Sequence, residues 1–281
     1  MRAFGLLKKV RRLELGPLLK EGALTLPVHL EAAMNRQRTV MDFQLESGVP
    51  LDRGTRHNKT MYLVKETIAQ LIQRSAANGS SLLEVGGDTG WQTLAYRAQL
   101  ASPSRAVIYD WQDRRLPHVK DEGVEFCEVN IETDRFPDPS GSFDVVVCNQ
   151  VFEHIKNIYR PLTEMHRVLK MQGLLIVSVP NVSALHNCFL LLLGIQPTTM
   201  AIFGSHVRGF AIHSMSRFLT RNGHFRICTL KGFGLHPFTS RELPWIFKTY
   251  CHTPVWVLQK QRSDLAPWVE ERTVTYTTTN F

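Results

Sequence analysis

An apolar strand pattern that ends in a glycine-rich turn constrains the fold of this chain most strongly. Residues 81–90 read SLLEVGGDTG, an apolar run with one acid that breaks at three glycines. The residues that follow, WQTLAY at 91–96, run into a helical pattern. Glycine adopts positive φ without steric cost and lets the backbone approach a ligand closely. In open α/β sheets, a strand, a tight turn and a helix in this order form ligand sites at the carboxyl ends of the strands.

Strand and helix patterns alternate along most of the remaining chain. Apolar spacing predicts helices at 62–74, 158–169 and 214–222. Strand candidates lie at 82–85, 106–109, 124–129, 143–148, 174–179, 225–230 and 255–259. Strands separated by helices indicate a largely parallel sheet with right-handed crossovers. We therefore predict an α/β fold with a seven-stranded, mostly parallel Rossmann-like sheet and helices on both faces.

Three segments lie outside the predicted alternation of strands and helices. Residues 1–60 contain proline breaks and no β alternation, which indicates an N-terminal helical cap or lid before a main domain at 61–262. Residues 181–213 interrupt the alternation, and long connections in compact domains are often functional. The threonine-rich end, 263–281, is predicted to be a mobile tail.

Composition and charge limit the class of protein and its partners. A net charge of +8 and a pI near 9.4 allow anionic partners. The basic, amphipathic residues 1–13 allow weak peripheral membrane contact. The longest apolar run, 189–193, is far shorter than the roughly 20 residues of a transmembrane segment. Five scattered cysteines without a C-x-x-C pair indicate a reduced, cytoplasmic chain without structural zinc.

The glycine turn resembles the first motif of class I S-adenosyl-L-methionine (SAM) methyltransferases. Residues 84–90 read acid-x-Gly-x-x-x-Gly, whereas that family usually has [DE]-x-G-x-G-x-G, so Asp88 stands at the position of the middle glycine. The turn is neither a G-x-x-x-x-G-K-[ST] loop nor a G-x-G-x-x-G fingerprint. This spacing argues against a nicotinamide-binding Rossmann enzyme.

Three later blocks also resemble methyltransferases. Residues 136–155 resemble L-P-F-x-x-x-S-F-D-x-V-x-x-x-x-x-x-E-H, a pattern of the small-molecule branch that includes ubiquinone O-methyltransferases, and 162–175 match the same branch. Residues 204–210 resemble the G-H-x-R-x-F segment of bacterial saccharide and natural-product methyltransferases. The block at 136–155 lacks [DNS]-P-P-[YF], the motif of nucleic-acid amino-methylating enzymes. A nucleic-acid acceptor is therefore disfavoured.

The resemblance implies a SAM site at the ends of the first four strands. Glu84 would hold the amino-acid end of SAM, and Asp110 would accept both ribose hydroxyls, as acids after strand two do in dinucleotide folds. Trp111 would pack on the sugar or adenine, and Asn130 would face the adenine amine. Structural roles remain alternatives for these polar residues. The full predicted set is Glu84, Gly86, Gly87, Asp88, Gly90, Asp110, Trp111, Asn130, Ile131, Asn149, Gln150 and Val151.

The acceptor side is predicted from histidine and arginine residues. His154 and His206 are candidate bases, because imidazole titrates near neutral pH. Arg208 could bind a carboxylate or phosphate, although it could equally pin its loop to backbone carbonyls. His57, within the basic residues 53–59, could close over an anionic acceptor. No His, Asp or Glu cluster has metal-ligand spacing, so no metal site is predicted.

Together these features predict a SAM-dependent methyltransferase. The acceptor is expected to be a small molecule or a sugar-containing metabolite, methylated at oxygen. Two alternatives remain open. The basic surface could serve RNA or protein methylation, and Asp88 in the glycine turn could mark a non-catalytic binding protein of the same fold. The oligomeric state is not indicated by the sequence.

Overall fold

A computed structural model describes residues 39, 42–44, 55–76, 78–101 and 104–264 of the chain. Most of the predicted cap at 1–60 and all but two residues of the predicted tail at 263–281 lie outside the described residues.

The described chain alternates helices and strands in the predicted order. The helices are α1 Arg56–Ala76, α2 Trp91–Arg97, α3 Pro117–Asp121, α4 Tyr159–Val168, α5 Leu185–Leu192 and α6 Ile212–Leu219. The strands are β1 Ser81–Val85, β2 Arg105–Asp110, β3 Glu125–Glu128, β4 Phe143–Asn149, β5 Leu169–Ser178, β6 Phe225–Leu235, β7 Thr239–Glu242 and β8 Thr253–Lys260. Short 3₁₀ turns lie at Phe152–His154, Thr198–Met200, Arg221–Gly223 and Trp245–Tyr250.

All eight strands form one sheet in the order β3-β2-β1-β4-β5-β8-β6-β7. The five strands from β3 to β5 pair in parallel. Strand β8 lies antiparallel between β5 and β6. The predicted α/β class and mostly parallel sheet are confirmed.

The predicted number of seven strands was wrong, because β7 adds an eighth strand at the edge of the sheet. It pairs antiparallel with β6 alone, with Phe233 opposite Glu242 and Leu235 opposite Thr239. The sequence of β7 is TSRE, which has no apolar alternation. Short, polar strands are common at sheet edges, where they discourage pairing with other chains. Such a strand carries no burial signal for sequence analysis to detect.

The sheet is covered on both faces, as predicted. Alternate residues of each central strand enter two separate apolar cores: Leu83 lies in one and Leu82 in the other. The first core contains Leu162 and Met165 of α4 together with Met215 of α6. The second contains apolar residues from α1, α2 and α3, namely Val64, Ile68, Ile72, Leu94, Ala95 and Val119. This alternation follows from the two-residue period of a strand.

The parallel register brings the carboxyl ends of β1, β2 and β4 to one edge of the sheet. Val85 lies opposite both Tyr109 and Cys148. The next residues along these strands, Gly86, Asp110 and Asn149, are therefore neighbours. Both the glycine turn and the predicted ribose-binding acid occupy this edge.

The connection after β5 begins at the same edge and returns to it. Asn181 forms an isolated parallel bridge with Phe210, and the backbone N–H of Val182 donates to the Phe210 carbonyl at 2.9 Å. The buried side chain of Asn181 donates to the carbonyls of Thr249 and Cys251, each at 2.8 Å. These bonds fix both ends of the connection beside the candidate site.

Candidate active site at the carboxyl edge of the sheet

The glycine turn needs glycine because of its backbone conformation and its close packing. Gly86 has φ +74°, and a Cβ added there would lie 2.5 Å from Cγ2 of Val151. A Cβ at Gly87 would lie 2.8 Å from Cγ2 of Ile108. Gly90 caps α2 with φ 78°. The turn therefore contacts the loop after β4, and the sequence places glycine where a side chain would separate them.

Asp88 fits the turn without entering it. Its φ of 48° is left-handed, a conformation that Asp and Asn tolerate better than most residues. The side chain is 58% exposed, and its Oδ1 lies 3.6 Å from Nη1 of Arg114. The carboxylate is thus directed toward solvent, and the turn keeps its form without the middle glycine of the family motif.

Asp110 joins the glycine turn to the end of β2. Its Oδ2 accepts the backbone N–H of Asp88 at 3.1 Å, and its Oδ1 accepts that of Trp111 at 2.8 Å. A carboxylate has about four acceptor positions, so both oxygens retain capacity for ribose hydroxyls. The Trp111 ring is 63% exposed and lies under the Arg114 guanidinium, 4.8 Å from ring centre to Cζ. The predicted contacts of both residues with SAM stay predictions.

Glu84 is enclosed by the first turn of α2 and has no exposed surface. Its carboxyl group accepts bonds from Gln92 Nε2, at 2.7 Å, and from the Thr93 hydroxyl. Burial raises the pKa of Glu84 to about 8. In this arrangement the carboxyl group fastens α2 to β1. Its predicted contact with SAM stays a prediction.

We expect the free energy of unfolding to fall less steeply with rising pH in Glu84→Gln than in the wild type. The folded-state pKa is about 8 against a reference of 4.5, so the folded chain binds this proton more tightly. The stabilisation is complete below about pH 4.5 and is lost as pH rises toward about 8. Its slope is up to about 1.4 kcal/mol per pH unit. Urea unfolding between about pH 5 and about pH 8 measures this difference.

Glu122→Gln provides the control for this measurement, since the Glu122 side chain is 61% exposed and pairs with Arg97 at the surface. Its unfolding free energies should follow those of the wild type across the range. Equal pH slopes for the wild type and Glu84→Gln would contradict the raised pKa.

The remaining predicted cofactor residues lie at the end of β4 and in the loops after β3 and β4. Asn130 is exposed, and its Oδ1 accepts the backbone N–H of Glu132 at 3.1 Å. Asn149 is buried and accepts a bond from the Ser178 hydroxyl. The Gln150 side chain donates to that hydroxyl at 3.0 Å. Ile131 and Val151 are partly buried against the core. Asn149 and Gln150 thus orient each other through Ser178, and their contacts with SAM remain predictions.

The predicted acceptor side contains a carboxyl group close to two imidazoles. The rings of His154 and His206 meet edge to face with their centres 4.9 Å apart. Glu153 was missed by the sequence analysis. Its Oε1 lies 3.9 Å from Nε2 of His154, and its side chain is 2% exposed. Burial raises the pKa of Glu153 to about 8 and lowers that of His154. The Glu-His pair in the 136–155 block was the one available sequence signal.

Arg208 and His57, the two residues predicted to bind the acceptor, lie in different environments. Nη2 of Arg208 donates to the carbonyl of Lys156 at 2.8 Å, which is the loop-pinning alternative. The predicted anion contact of Arg208 stays a prediction. His57 meets His252 edge to face at 5.2 Å between ring centres. Desolvation, followed by the charge of His206, lowers the pKa of His57. Residues 53 and 54 of the basic stretch around His57 lie outside the described residues.

A second group of histidines was not foreseen from the sequence. His252 also stacks with His186, at 5.7 Å between ring centres, and meets His236 at 4.7 Å. Burial lowers the pKa of His252 to about 3, so this ring is neutral near pH 7. Elements distant in the chain supply these rings, and no local spacing reveals the group.

The fold and the site together agree with one protein family. Residues 56–250 match the profile of a family described as a methyltransferase domain. The chain belongs to this family. The resemblance inferred from the sequence motifs is therefore confirmed, and the glycine turn lies within the matched part of the methyltransferase domain.

Individual relatives cover a smaller part of this methyltransferase-family chain. A Mycobacterium tuberculosis protein named as a probable S-adenosylmethionine-dependent methyltransferase is 38% identical over 149 residues, which is 52% of this chain and 47% of that protein. A ubiquinone/menaquinone biosynthesis C-methyltransferase of Marinomonas sp. is 27% identical over 121 residues, which is 40% of this chain and 46% of that protein. The chain spans about half the length of the curated relatives it matches.

Solved structures agree on the methyltransferase fold. A SAM-dependent methyltransferase from Archaeoglobus fulgidus covers 74% of this chain and 96% of its own, with a TM-score of 0.51 and 13% identity. A Thermotoga maritima SAM-dependent methyltransferase, described as a possible histamine N-methyltransferase, covers 72% and 92%, with a TM-score of 0.50 and 17% identity. At these low sequence identities, the similarity to the solved structures shows the fold alone.

None of the helices in the described part of the chain has the length and apolar composition of a membrane-spanning segment.

Proposed function

We propose that this protein transfers the methyl group of SAM to an oxygen atom of a small-molecule acceptor. The observation that carries the proposal is the bond from the Asp88 N–H to the Asp110 carboxylate, at 3.1 Å. It joins the glycine turn after β1 to the acid that ends β2, the two parts of a nucleoside site in open α/β sheets. Family membership and the named relatives support SAM as the nucleoside.

The residues at this edge fit SAM by shape and by chemistry. Side chains are absent from the turn at Gly86 and Gly87, where an added Cβ would strike neighbouring side chains. Asp110 would hold the ribose, and the exposed ring of Trp111 would lie against the ribose or adenine. When bound, SAM supplies a methyl group on a positively charged sulfur.

The acceptor side supports positioning and proton removal. The connection at 181–213 would bind the acceptor beside the cofactor edge, and alignment of the reacting atoms supplies much of the rate in such reactions. His154 would be neutral near pH 7, since burial lowers its pKa. A neutral imidazole can receive a proton from an acceptor hydroxyl.

Exposed apolar side chains on the same connection favour an acceptor with an apolar part. Exposed apolar surface beyond single scattered residues often marks a binding site. Eight large apolar residues from α5 to the loop at 204–210, called the His206 loop, are exposed: Phe189, Leu191, Leu192, Leu193, Ile195, Ile202, Phe203 and Val207. An acceptor with both an oxygen and an apolar body would suit this segment and the histidines together.

Methylation at carbon is the second candidate. Relatives named as ubiquinone/menaquinone biosynthesis C-methyltransferases match 35% to 40% of the chain. The acceptor carbon would then be activated by loss of a proton from the acceptor. Nuclear magnetic resonance of the methylated product distinguishes an O-methyl from a C-methyl group.

Calorimetric titration with SAM and S-adenosylhomocysteine tests the proposal first. We expect wild-type protein to bind both, and Asp88→Gly to bind with an affinity within about threefold of wild type, a difference of about 0.7 kcal/mol. The Asp88 carboxylate is directed to solvent, so its removal should not open the site. No binding by folded wild-type protein would overturn the proposal. A gain of tenfold or more in Asp88→Gly, about 1.4 kcal/mol, would favour the non-catalytic alternative.

A further inference from the structure

We propose that Glu153, His154 and His206 bind one divalent transition-metal ion. One potential ligand atom from each residue lies within 4.8 Å of the other two. Ligand atoms held at about 2.1 Å from a tetrahedral zinc ion are about 3.4 Å apart. The cluster is therefore slightly wider than a filled site, and side-chain shifts of about 1 Å would close it.

Each imidazole of the cluster has Nδ1 close to a backbone carbonyl, which leaves Nε2 available to bind a metal. Nδ1 of His206 lies 2.8 Å from the carbonyl of Thr199, and Nδ1 of His154 lies 3.3 Å from that of Ser205. A carbonyl oxygen only accepts, so each Nδ1 must carry the proton that it donates. Nε2 of each ring then has an available lone pair. Metal-binding histidines usually donate their other N–H in this way, which fixes the tautomer and the ring orientation.

Glu153 supplies the acid that such a site requires. Its residue is 1% exposed, and Oε2 is buried without a hydrogen-bond partner. An unsatisfied buried carboxyl oxygen costs free energy in the folded protein. Coordination to a cation would satisfy this oxygen, and none of the bonds around it in the described part of the chain does so.

Three bonds hold the two halves of the cluster together. The backbone N–H of Val207 donates to the Glu153 carbonyl at 2.8 Å. The His154 ring bonds to the Ser205 carbonyl, and Arg208 donates to the Lys156 carbonyl at 2.8 Å. The His206 loop is thereby fastened to the 3₁₀ turn that carries the other two side chains. Arg208 acts here as a positioning residue.

The donor set selects the class of metal. Two imidazoles and one carboxylate suit zinc and neighbouring transition metals better than magnesium or calcium, which prefer oxygen ligands. Three protein ligands also leave a coordination position open, as in catalytic zinc sites. If methyl transfer occurs as proposed above, this position would bind the acceptor oxygen. The ion would lower the pKa of that hydroxyl. Because Nε2 of His154 would be bound to the ion and Nδ1 already carries a proton, His154 would not act as the base in the metal-loaded protein. The hydroxyl proton would pass to solvent before the oxygen forms its bond to the methyl group and the sulfur–methyl bond breaks.

Cobalt titration of tag-free protein tests the site independently of methyl transfer. We expect about one Co²⁺ to bind per chain, with the visible absorption of a four-coordinate site that has nitrogen and oxygen ligands. Added Zn²⁺ should displace the Co²⁺. Glu153→Gln and His206→Asn should each weaken binding by about 100-fold or more, since loss of even an outer partner costs about 10- to 100-fold. Circular dichroism verifies that each variant is folded.

His213→Asn is the matched control, because His213 is an exposed histidine of α6 outside the cluster. It should bind Co²⁺ as the wild type does. Wild-type protein that binds no Co²⁺, or a folded Glu153→Gln that binds it unchanged, would overturn the proposed site.

A chelator experiment separates the metal site from its role in methyl transfer. SAM titration in EDTA should be unaffected, whereas methylation of an identified acceptor should fall and recover when Zn²⁺ is added. Methylation that persists in EDTA in metal-free protein would overturn the acceptor role. Failure of SAM to bind would instead count against the proposed function.

Discussion

Replacing Asp110 with alanine is expected to lower the affinity for SAM by about 100-fold or more. Hydrogen bonds to a charged group contribute about 1.5–3 kcal/mol each, and two ribose hydroxyls would lose their acceptor. The change also removes the acceptor of the Asp88 N–H, which holds the glycine turn against β2. Both effects act on the cofactor site, and calorimetric titration with SAM and S-adenosylhomocysteine measures their sum.

Asp113→Ala offers a matched control for Asp110→Ala. Asp113 lies in the loop that follows Asp110, but its carboxylate is bound to Arg115 at 2.8 Å and to Lys120 at 3.2 Å. Its loss should change the affinity by less than about threefold, or about 0.7 kcal/mol. Equal losses in the two variants would indicate that loop disorder, and not the ribose contact, is responsible. If Asp110→Ala bound SAM with wild-type affinity, Asp110 would not be part of the cofactor site.

Gly86→Ala is expected to damage both stability and SAM binding. A non-glycine residue at φ +74° costs about 1–2 kcal/mol, and overpacking against Val151 adds about 1–3 kcal/mol. A total of about 2–5 kcal/mol would lower the melting temperature by roughly 5–15 °C in a domain of this size. Displacement of Val151 would also widen the edge where SAM is proposed to bind. Differential scanning calorimetry with and without SAM measures both effects.

Gly123→Ala separates backbone strain from overpacking. Gly123 has φ +72°, nearly the value at Gly86, but a Cβ added there would meet no atom within 4 Å. This variant should lose only the conformational part, about 1–2 kcal/mol, and should keep its SAM affinity. If Gly86→Ala were no less stable than Gly123→Ala, close packing of the turn against Val151 would be refuted.

The sheet and the cofactor edge were predictable because their signals are local. The strand prediction at 82–85 corresponds to β1, Ser81–Val85, and that at 143–148 to β4, Phe143–Asn149. Buried strands need continuous apolar residues, and the turns between them need glycine or polar residues. Residues at the ends of parallel strands become neighbours through topology alone. This reasoning placed Asp110 beside the glycine turn.

The acceptor side was less predictable, since its geometry depends on contacts between distant segments. His154 and His206 were each named, but their meeting depends on the bond from Val207 to the Glu153 carbonyl. His57 was named and His252 was not, and their contact likewise joins distant segments, because His57 lies in α1 and His252 directly precedes β8. The conformation of a long connection without a strict apolar period cannot be predicted from its local sequence. Its path follows from anchors such as the buried side chain of Asn181.

Because Asn181 and Phe210 form a bridge, the segment between them can be replaced without disturbing the rest of the fold. The two ends of this segment meet beside the carboxyl edge of the sheet, so the length of the intervening segment affects the fold only weakly. Doubling a flexible loop costs about 0.6 kcal/mol in closure entropy. Evolution can therefore exchange this segment while the cofactor edge stays constant. If the segment binds the acceptor as proposed above, grafting the corresponding segment from a relative would transfer acceptor preference between the two proteins.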